Sequence, residues 1–233
     1  MKNLFILTIA LLSIVNLSSC KKKGCTDNTA TNFNSKAKKD DGSCLYVPTI
    51  SIIGANDTTI SVGTTYNDPG ATAANKDGSS VTVTTTGQVN SATVGDYELT
   101  YSASNQNGTA TAKRTVHVVI GQDNWTVTWD VSSNCGTSFP LSGSPTITAG
   151  NTANSLVIDN MFNLVGGTAN ATINGATITI PQQTINITIG DVIFSGIGTM
   201  NNQGNILTIT YTYENTTPLI GGSGTCVATY VKQ

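Results

Sequence analysis

From Pro48 to the end, the chain is written in short runs of alternating apolar and polar residues, broken by glycine or asparagine. That rhythm restricts it to β-structure. In Tyr97-Glu98-Leu99-Thr100-Tyr101-Ser102-Ala103 every second side chain is apolar or aromatic, the period of a strand with one buried face. Strands are predicted at Thr49–Ile53, Thr58–Val62, Ala71–Ala74, Ser80–Thr86, Asp96–Ser104 and Thr109–Ile120, with glycines between them. Turn signals every 8–12 residues or so argue for an antiparallel sandwich over residues 48–120. After the linker Gly121-Gln122-Asp123, a second β unit is predicted over 122–233. Its strands are Thr146–Thr148, Leu156–Ile158, Thr168–Ile173, Ala176–Ile180, Thr184–Ile189, Val192–Gly198, Ile206–Tyr213 and Cys226–Lys232. Asn174-Gly175 signals a two-residue hairpin. No stretch carries a helical period, so the fold class is all-β. Successive short-looped strands predict a meander barrel of about eight strands, because closure removes adhesive edges.

Only 10% of the residues are charged, against about 25% in ordinary globular chains. The charge is unevenly placed. Residues 21–44 hold six lysines against Asp27, Asp40 and Asp41, whereas from residue 45 onward four bases face ten acids. So acidic and arginine-poor a body lacks the basic footprint that nucleic-acid binding needs.

The start of the chain sets its address. Met1-Lys2-Asn3 is a short basic opening, and Leu4 to Val15 is an apolar run interrupted only by Thr8 and Ser13. That length suits a secretory leader, residues 1–19, and is short for a spanning helix of about 20 apolar residues. Leu17-Ser18-Ser19-Cys20 resembles a bacterial lipobox: a branched residue, two small ones, then the cysteine that is lipidated. The resemblance implies cleavage before Cys20, acyl chains on that residue, and a membrane as partner through the anchor. In such lipoproteins an aspartate after the cysteine favours the inner membrane. Lys21 stands there instead, which implies the outer membrane of a Gram-negative envelope, at its cell-surface or periplasmic face.

Export makes disulfides the default for the other cysteines. Cys25 and Cys44 bracket one segment, and Cys135 and Cys226 bracket most of the last unit. Two disulfides are expected. The segment 24–46 has almost no apolar content, and a Cys25–Cys44 staple would stabilise it by roughly 3 kcal/mol on the chain-entropy account. With Cys25-Thr26-Asp27, Asn32-Phe33-Asn34 and Asp40-Asp41-Gly42-Ser43-Cys44 it resembles a cysteine-bracketed motif found between domains of bacterial surface proteins. Residues 20–47 thus form a lipidated, basic and stapled spacer. Asp27, Asp40 and Asp41, with amide oxygens of Asn32 or Asn34, are the candidate ligands for calcium, which takes six to eight oxygens. The alternative is a solvated spacer without a cation.

Three blocks in the sandwich resemble the bacterial Ig-like domain of pesticidal crystal proteins and surface proteins, close to the HYR type: Tyr66-Asn67-Asp68-Pro69-Gly70-Ala71-Thr72-Ala73, Gly95-Asp96-Tyr97 with Thr100-Tyr101-Ser102-Ala103, and Arg114-Thr115-Val116-His117-Val118. The resemblance implies a spacer or adhesive module over 48–120. His117 alternates with Val116 and Val118, so it is expected to point outward. In the last unit, Trp125-Thr126-Val127-Thr128-Trp129-Asp130-Val131 predicts a strand with both tryptophans on one face, suited to core packing or, alternatively, to stacking on sugar. The layout of 122–233 is similar to lipocalin-type barrels of envelope lipoproteins.

Reactive motifs are missing. The sequence has one histidine, no Gly-x-Ser-x-Gly elbow and no phosphate-cradling glycine loop. The expectation is an envelope-anchored, non-catalytic protein in which an Ig-like stalk presents a β head to an unknown protein or glycan, with no required cofactor. One alternative is a carrier of a small hydrophobic ligand, with Gly166, Gly167, Ala169, Ala171 and Ala176 leaving room inside the barrel. A remote one is a glycan hydrolase using a pair among Asp130, Asp159, Asp191 and Glu214.

Overall fold

The computed structural model of the protein describes residues 21–135, 141–162, 166–187, 190–216 and 221–233. The leader and Cys20 lie outside the described residues. The Ig-like part is a sandwich of two sheets. One holds β1 (Thr49–Ile52), β3 (Ala71–Ala74) and β4 (Ser80–Val81), in the order β1-β3-β4. The other is ordered β2-β7-β6-β5, from β2 (Asp57–Ser61), β5 (Val83–Thr86), β6 (Gly95–Asn105) and β7 (Gly108–Val119).

Two details depart from the sequence reading. The run expected as one strand, Ser80–Thr86, breaks at Thr82 and supplies a strand to each sheet, β4 pairing with β3 and β5 with β6. In addition, β2 runs parallel to β7, so the sandwich is not wholly antiparallel. The alternation in β6 lands as expected, with Leu99, Tyr101 and Ala103 buried between the sheets.

At the centre of this sandwich lies a charge. Arg114, on β7, is 1% exposed, and its guanidinium donates to Asp68 at 2.9 Å, to the Tyr66 hydroxyl at 3.1 Å and to the Ile53 carbonyl. The Tyr101 hydroxyl donates to the same Asp68 oxygen at 2.6 Å. Burial first, then this bond to Asp68, pushes the Tyr101 hydroxyl upward. Burial works against the charge on Arg114, but the Tyr66 bond and the neighbouring Tyr101 and Asp68 outweigh it and raise its pKa. A guanidinium buried so deeply is tolerable only with its partner and hydrogen bonds in place.

The last unit is an eight-stranded antiparallel sheet curled into a half-barrel, ordered β8-β15-β14-β13-β12-β11-β10-β9. Its strands are β8 (Trp129–Ser133), β9 (Thr146–Ala149), β10 (Ser155–Asp159), β11 (Ala169–Asn174), β12 (Thr177–Ile187), β13 (Gly190–Met200), β14 (Ile206–Asn215) and β15 (Gly222–Lys232). The end strands β8 and β9 do not pair as a ladder, and a few contacts link residues in and beside them. Isolated bridges join Thr128 to Thr146 and Val131 to Gly143, with Trp129 N donating to the Pro145 carbonyl at 3.1 Å and Ile147 N to that of Val127 at 3.1 Å. Ala176–Ile180 and Thr184–Ile189, expected as two strands, form one: β12 runs through Pro181, and its pairing with β13 shifts register between Ile180 and Gln183. Proline has no N–H for the ladder, and the shift accommodates it.

The expected strand from Trp125 is also different. Residues Gln122–Trp125 make a single helical turn, α1, and β8 begins only at Trp129. Four residues apart, Trp125 and Trp129 are both fully buried, and the Trp129 indole N–H donates to the Trp125 carbonyl at 3.1 Å. They pack in the core. Between the sandwich and the half-barrel the core is continuous, with Val62, Val118 and Ile120 in the same apolar cluster as Trp125 and Phe194.

Replacing Asp68 by alanine leaves the Arg114 guanidinium buried without its carboxylate. The expected loss is about 3–5 kcal/mol, read by urea unfolding. The paired change Asp68→Leu with Arg114→Met should recover most of it, and equal losses in the single and double variants would show that charge pairing is not the cause.

Candidate functional site

Three places in the structure could carry function: the stapled unit at the amino end, the face of the Ig-like domain around His117, and the half-barrel. In the first, Cys25 and Cys44 form a disulfide with Cα atoms 4.8 Å apart. The candidate cation ligands serve the unit's own turns. Asp27 accepts from the Thr29 N–H at 2.9 Å, the Thr29 hydroxyl at 2.7 Å and the Tyr46 hydroxyl at 2.7 Å. The Tyr46 hydroxyl, then the Thr29 N–H, holds the Asp27 carboxyl down to about 2. Asp40 caps the Gly42 N–H and Asp41 the Ser43 N–H. Asn32 is a clamp, donating to the Ser43 carbonyl at 2.6 Å and accepting from the Leu45 N–H at 2.8 Å, and Asn34 accepts from the Lys36 N–H. Among the described residues no three His, Cys, Asp or Glu side chains gather as a metal-holding group.

This unit docks on the end of the sandwich. The Tyr46 carbonyl accepts from the amides of Asn105 at 2.9 Å and Asn107 at 3.1 Å, and Asn105 also donates to Asn75 at 2.8 Å. The Lys76 ammonium stands 4.8 Å over the Tyr46 ring. Beside this contact is an open polar cleft of about 430 Å³, lined by Tyr46, Asn75, Lys76, Asp77, Asn105 and Asn107 among others. Most of its amides are already engaged in holding the unit.

His117 is more than a plain outward histidine. The pairing of β7 with β2 on one side and β6 on the other places the imidazole between two carboxylates, with Nδ1 2.6 Å from Asp96 and Nε2 3.1 Å from Asp57. The Asp96 hydrogen bond first, then that to Asp57, raises its pKa above the ordinary 6.5. Sequence reading missed this trio because residues 57, 96 and 117 meet only through strand register. The outward alternation of His117 was visible; its partners were not.

The interior of the half-barrel is filled. Trp125, Trp129, Phe162, Phe194, Tyr211 and Tyr230 are all buried. Phe194 stacks on Tyr211 at 5.3 Å between centroids, and Phe162 meets Phe194 edge-on at 5.5 Å. Of the small residues expected to leave room, Gly167, Ala169 and Ala171 are packed against bulk, whereas a Cβ on Gly166 would meet nothing within 4 Å. A Cβ on Gly167 would stand 2.8 Å from Ile185 Cγ2 and 3.0 Å from a Phe162 ring carbon, and Ala169 and Ala171 are buried against the same cluster. Cys135, just after β8, is disulfide-bonded to Cys226 in β15, with Cα atoms 5.5 Å apart.

The four acids considered for hydrolysis are exposed and sit on separate elements: Asp130 in β8, Asp159 at the end of β10, Asp191 in β13 and Glu214 in β14. Asp130 accepts from Ser144 and Gln233, Asp159 from Thr168, and Asp191 from Asn186.

Residues 50–118 match the Ig-like domain of bacterial surface proteins. The three blocks quoted above fall within that span, and Asp68, Tyr101 and Arg114 come one from each block. No curated protein matches the chain. Among solved structures, a lipoprotein of Bacteroides thetaiotaomicron is similar at 17% identity, over 80% of this chain and 100% of that one, with a TM-score of 0.31.

The chain's single histidine makes the carboxylate trio easy to test. By proton NMR, the His117 ring is expected to titrate above 6.5, and Asp96→Asn should move its midpoint down. Because the folded-state pKa is raised, the stability it contributes is fully present below about pH 6.5 and is lost as pH rises through the folded-state value. A midpoint at or below 6.5 in the parent protein would contradict the bridged geometry.

Proposed function

We propose that the protein is a non-catalytic lipoprotein of the bacterial envelope, anchored through lipid on Cys20, with a stapled spacer and an Ig-like stalk presenting the half-barrel as a head for adhesion or binding. The observation that carries the reading is the packed head. Its interior is occupied by Trp129, Phe194, Tyr211 and Tyr230, which leaves the outer surface as the place to meet a partner. An occupied interior favours a head over a hydrophobic carrier. Local hydroxyl and amide donors already engage Asp130, Asp159 and Asp191, which favours binding over carboxylate hydrolysis, a reaction that needs two carboxyls flanking one bond.

The match of 50–118 to a domain of bacterial surface proteins supports a place in the envelope. Lys21 after the lipidated cysteine favours the outer membrane, and the partner chemistry consistent with a polar, hydroxyl-rich head is a protein or glycan surface.

Cys20→Ala is expected to move the protein from the membrane pellet to the soluble envelope fraction, because acyl chains anchor by about 0.8 kcal/mol per buried methylene. Persistence in the pellet after a salt wash would overturn the lipid anchor. Native mass spectrometry of the purified protein is expected to give its own mass alone, and a reproducibly retained hydrophobic ligand would favour the carrier instead.

A further inference from the structure

The stapled unit brings together two lysine runs that are far apart in sequence. Lys38 N donates to the Lys22 carbonyl at 2.8 Å, Gly24 N donates to the Lys39 carbonyl at 3.2 Å, and Lys23 bridges Lys39 in parallel. Lys21, Lys22, Lys23, Lys36, Lys38 and Lys39 are all exposed. Among the described residues the ion pairs involve Lys113, Arg114 and His117 and none of these six. Setting like charges side by side is unfavourable, and here the Cys25–Cys44 bond and the Asn34 N–H to Cys25 carbonyl contact hold the segment in place. The three acids of the unit are engaged in local hydrogen bonds, as described above. From residue 45 onward acids outnumber bases ten to four. Net positive charge is therefore found at the amino end of the described residues and net negative charge in the remainder.

We propose that this pair of edges, residues 21–24 and 36–39, is a basic foot that lies against an anionic lipid surface. The partner follows from charge complementarity: a plane of phosphate head groups offers counter-charges to ammonium groups that form no ion pair among the described residues, and juxtamembrane lysines are drawn to such surfaces. The acidic remainder is repelled from the same plane, so the protein stands on its amino end. The proposal agrees with an anchor at Cys20, the residue before Lys21, and rests on that reading only for the supply of a nearby membrane.

The test uses the body Lys21–Gln233 with both disulfides intact, which contains every described residue and lacks the lipidated cysteine. In sedimentation with vesicles, it is expected to bind those containing about one-third phosphatidylglycerol and not those of phosphatidylcholine alone. Raising the salt from about 0.1 M to about 1 M should release it. Replacing Lys21, Lys22 and Lys23 by glutamine should weaken binding about a hundredfold, at about fivefold per lysine. Lys113→Gln, which removes a lysine paired with Glu98 on the sandwich, should leave binding unchanged. No difference between the two vesicle types, an equal effect of Lys113→Gln, or binding to a soluble polyanionic polysaccharide with none to vesicles would each overturn the foot. Failure here leaves the Cys20 anchor standing, because fractionation of the Cys20→Ala protein tests that separately.

Discussion

The buried pair Arg114–Asp68 is the constraint on which the Ig-like domain depends. A guanidinium 1% exposed cannot exchange its hydration for an apolar slot without several kcal/mol of penalty. The surrounding chain is therefore fixed by what that group requires. Tyr66, Asp68 and the Gly70 carbonyl come from the segment entering β3, Tyr101 from β6, the Ile53 carbonyl from the end of β1, and Arg114 from β7. Gly70 has a φ of +79°, a conformation open to glycine, and it places its N–H on Asp68 and its carbonyl toward Arg114. The three sequence blocks that mark the domain are thus the parts of one polar cluster. Their spacing along the chain is arbitrary except that it lets them meet.

Much of the architecture was legible because it depends on local rules. Period-two alternation in β6 put Leu99, Tyr101 and Ala103 in the core, and the expected hairpin between β11 and β12 is present one residue on, with Asn174 paired to Thr177 and Gly175-Ala176 as the turn. Failures came where a local rule met a tertiary demand. Ser80–Thr86 is chemically one strand, but a sandwich corner requires the chain to change sheets at Thr82. Trp125 and Trp129 alternate as a strand would, yet Trp125 is buried from the helical turn α1 and Trp129 from the start of β8. Apart from these departures, the oxygens of Asp27, Asp40, Asp41, Asn32 and Asn34 suggest cation ligands by composition, and the structure gives them a local role as well. In a unit with almost no apolar core, the N–H groups of its own turns need acceptors, and these oxygens supply them. The Asp57–His117–Asp96 trio was invisible for a different reason: it exists only once a parallel and an antiparallel register are both fixed.

The junction between the two β units explains how a short linker can fix the half-barrel against the sandwich. Asn124, buried at the end of α1, donates to the Val62 carbonyl at 2.8 Å and accepts from the Gly121 N–H at 2.9 Å, while Ser61 donates to Asp123 at 2.6 Å. On the other side of the joint, Val94 N donates to the Asn202 carbonyl at 2.9 Å. Gly204, with φ +68°, leaves space for Val62, whose Cγ1 would lie 2.7 Å from any Cβ there. Contacts of this kind come from both edges of the joint and share an apolar cluster. Rotating the head would expose Val62, Val118 and Ile120 and strand the buried Asn124 amide, a polar group that costs about 1–3 kcal/mol if left unpaired. Stiffness at this joint arises from hydrogen bonds and packing on both sides of the three-residue linker. The same logic applies in the unit at the amino end, where the Cys25–Cys44 staple replaces the core that so polar a segment cannot build.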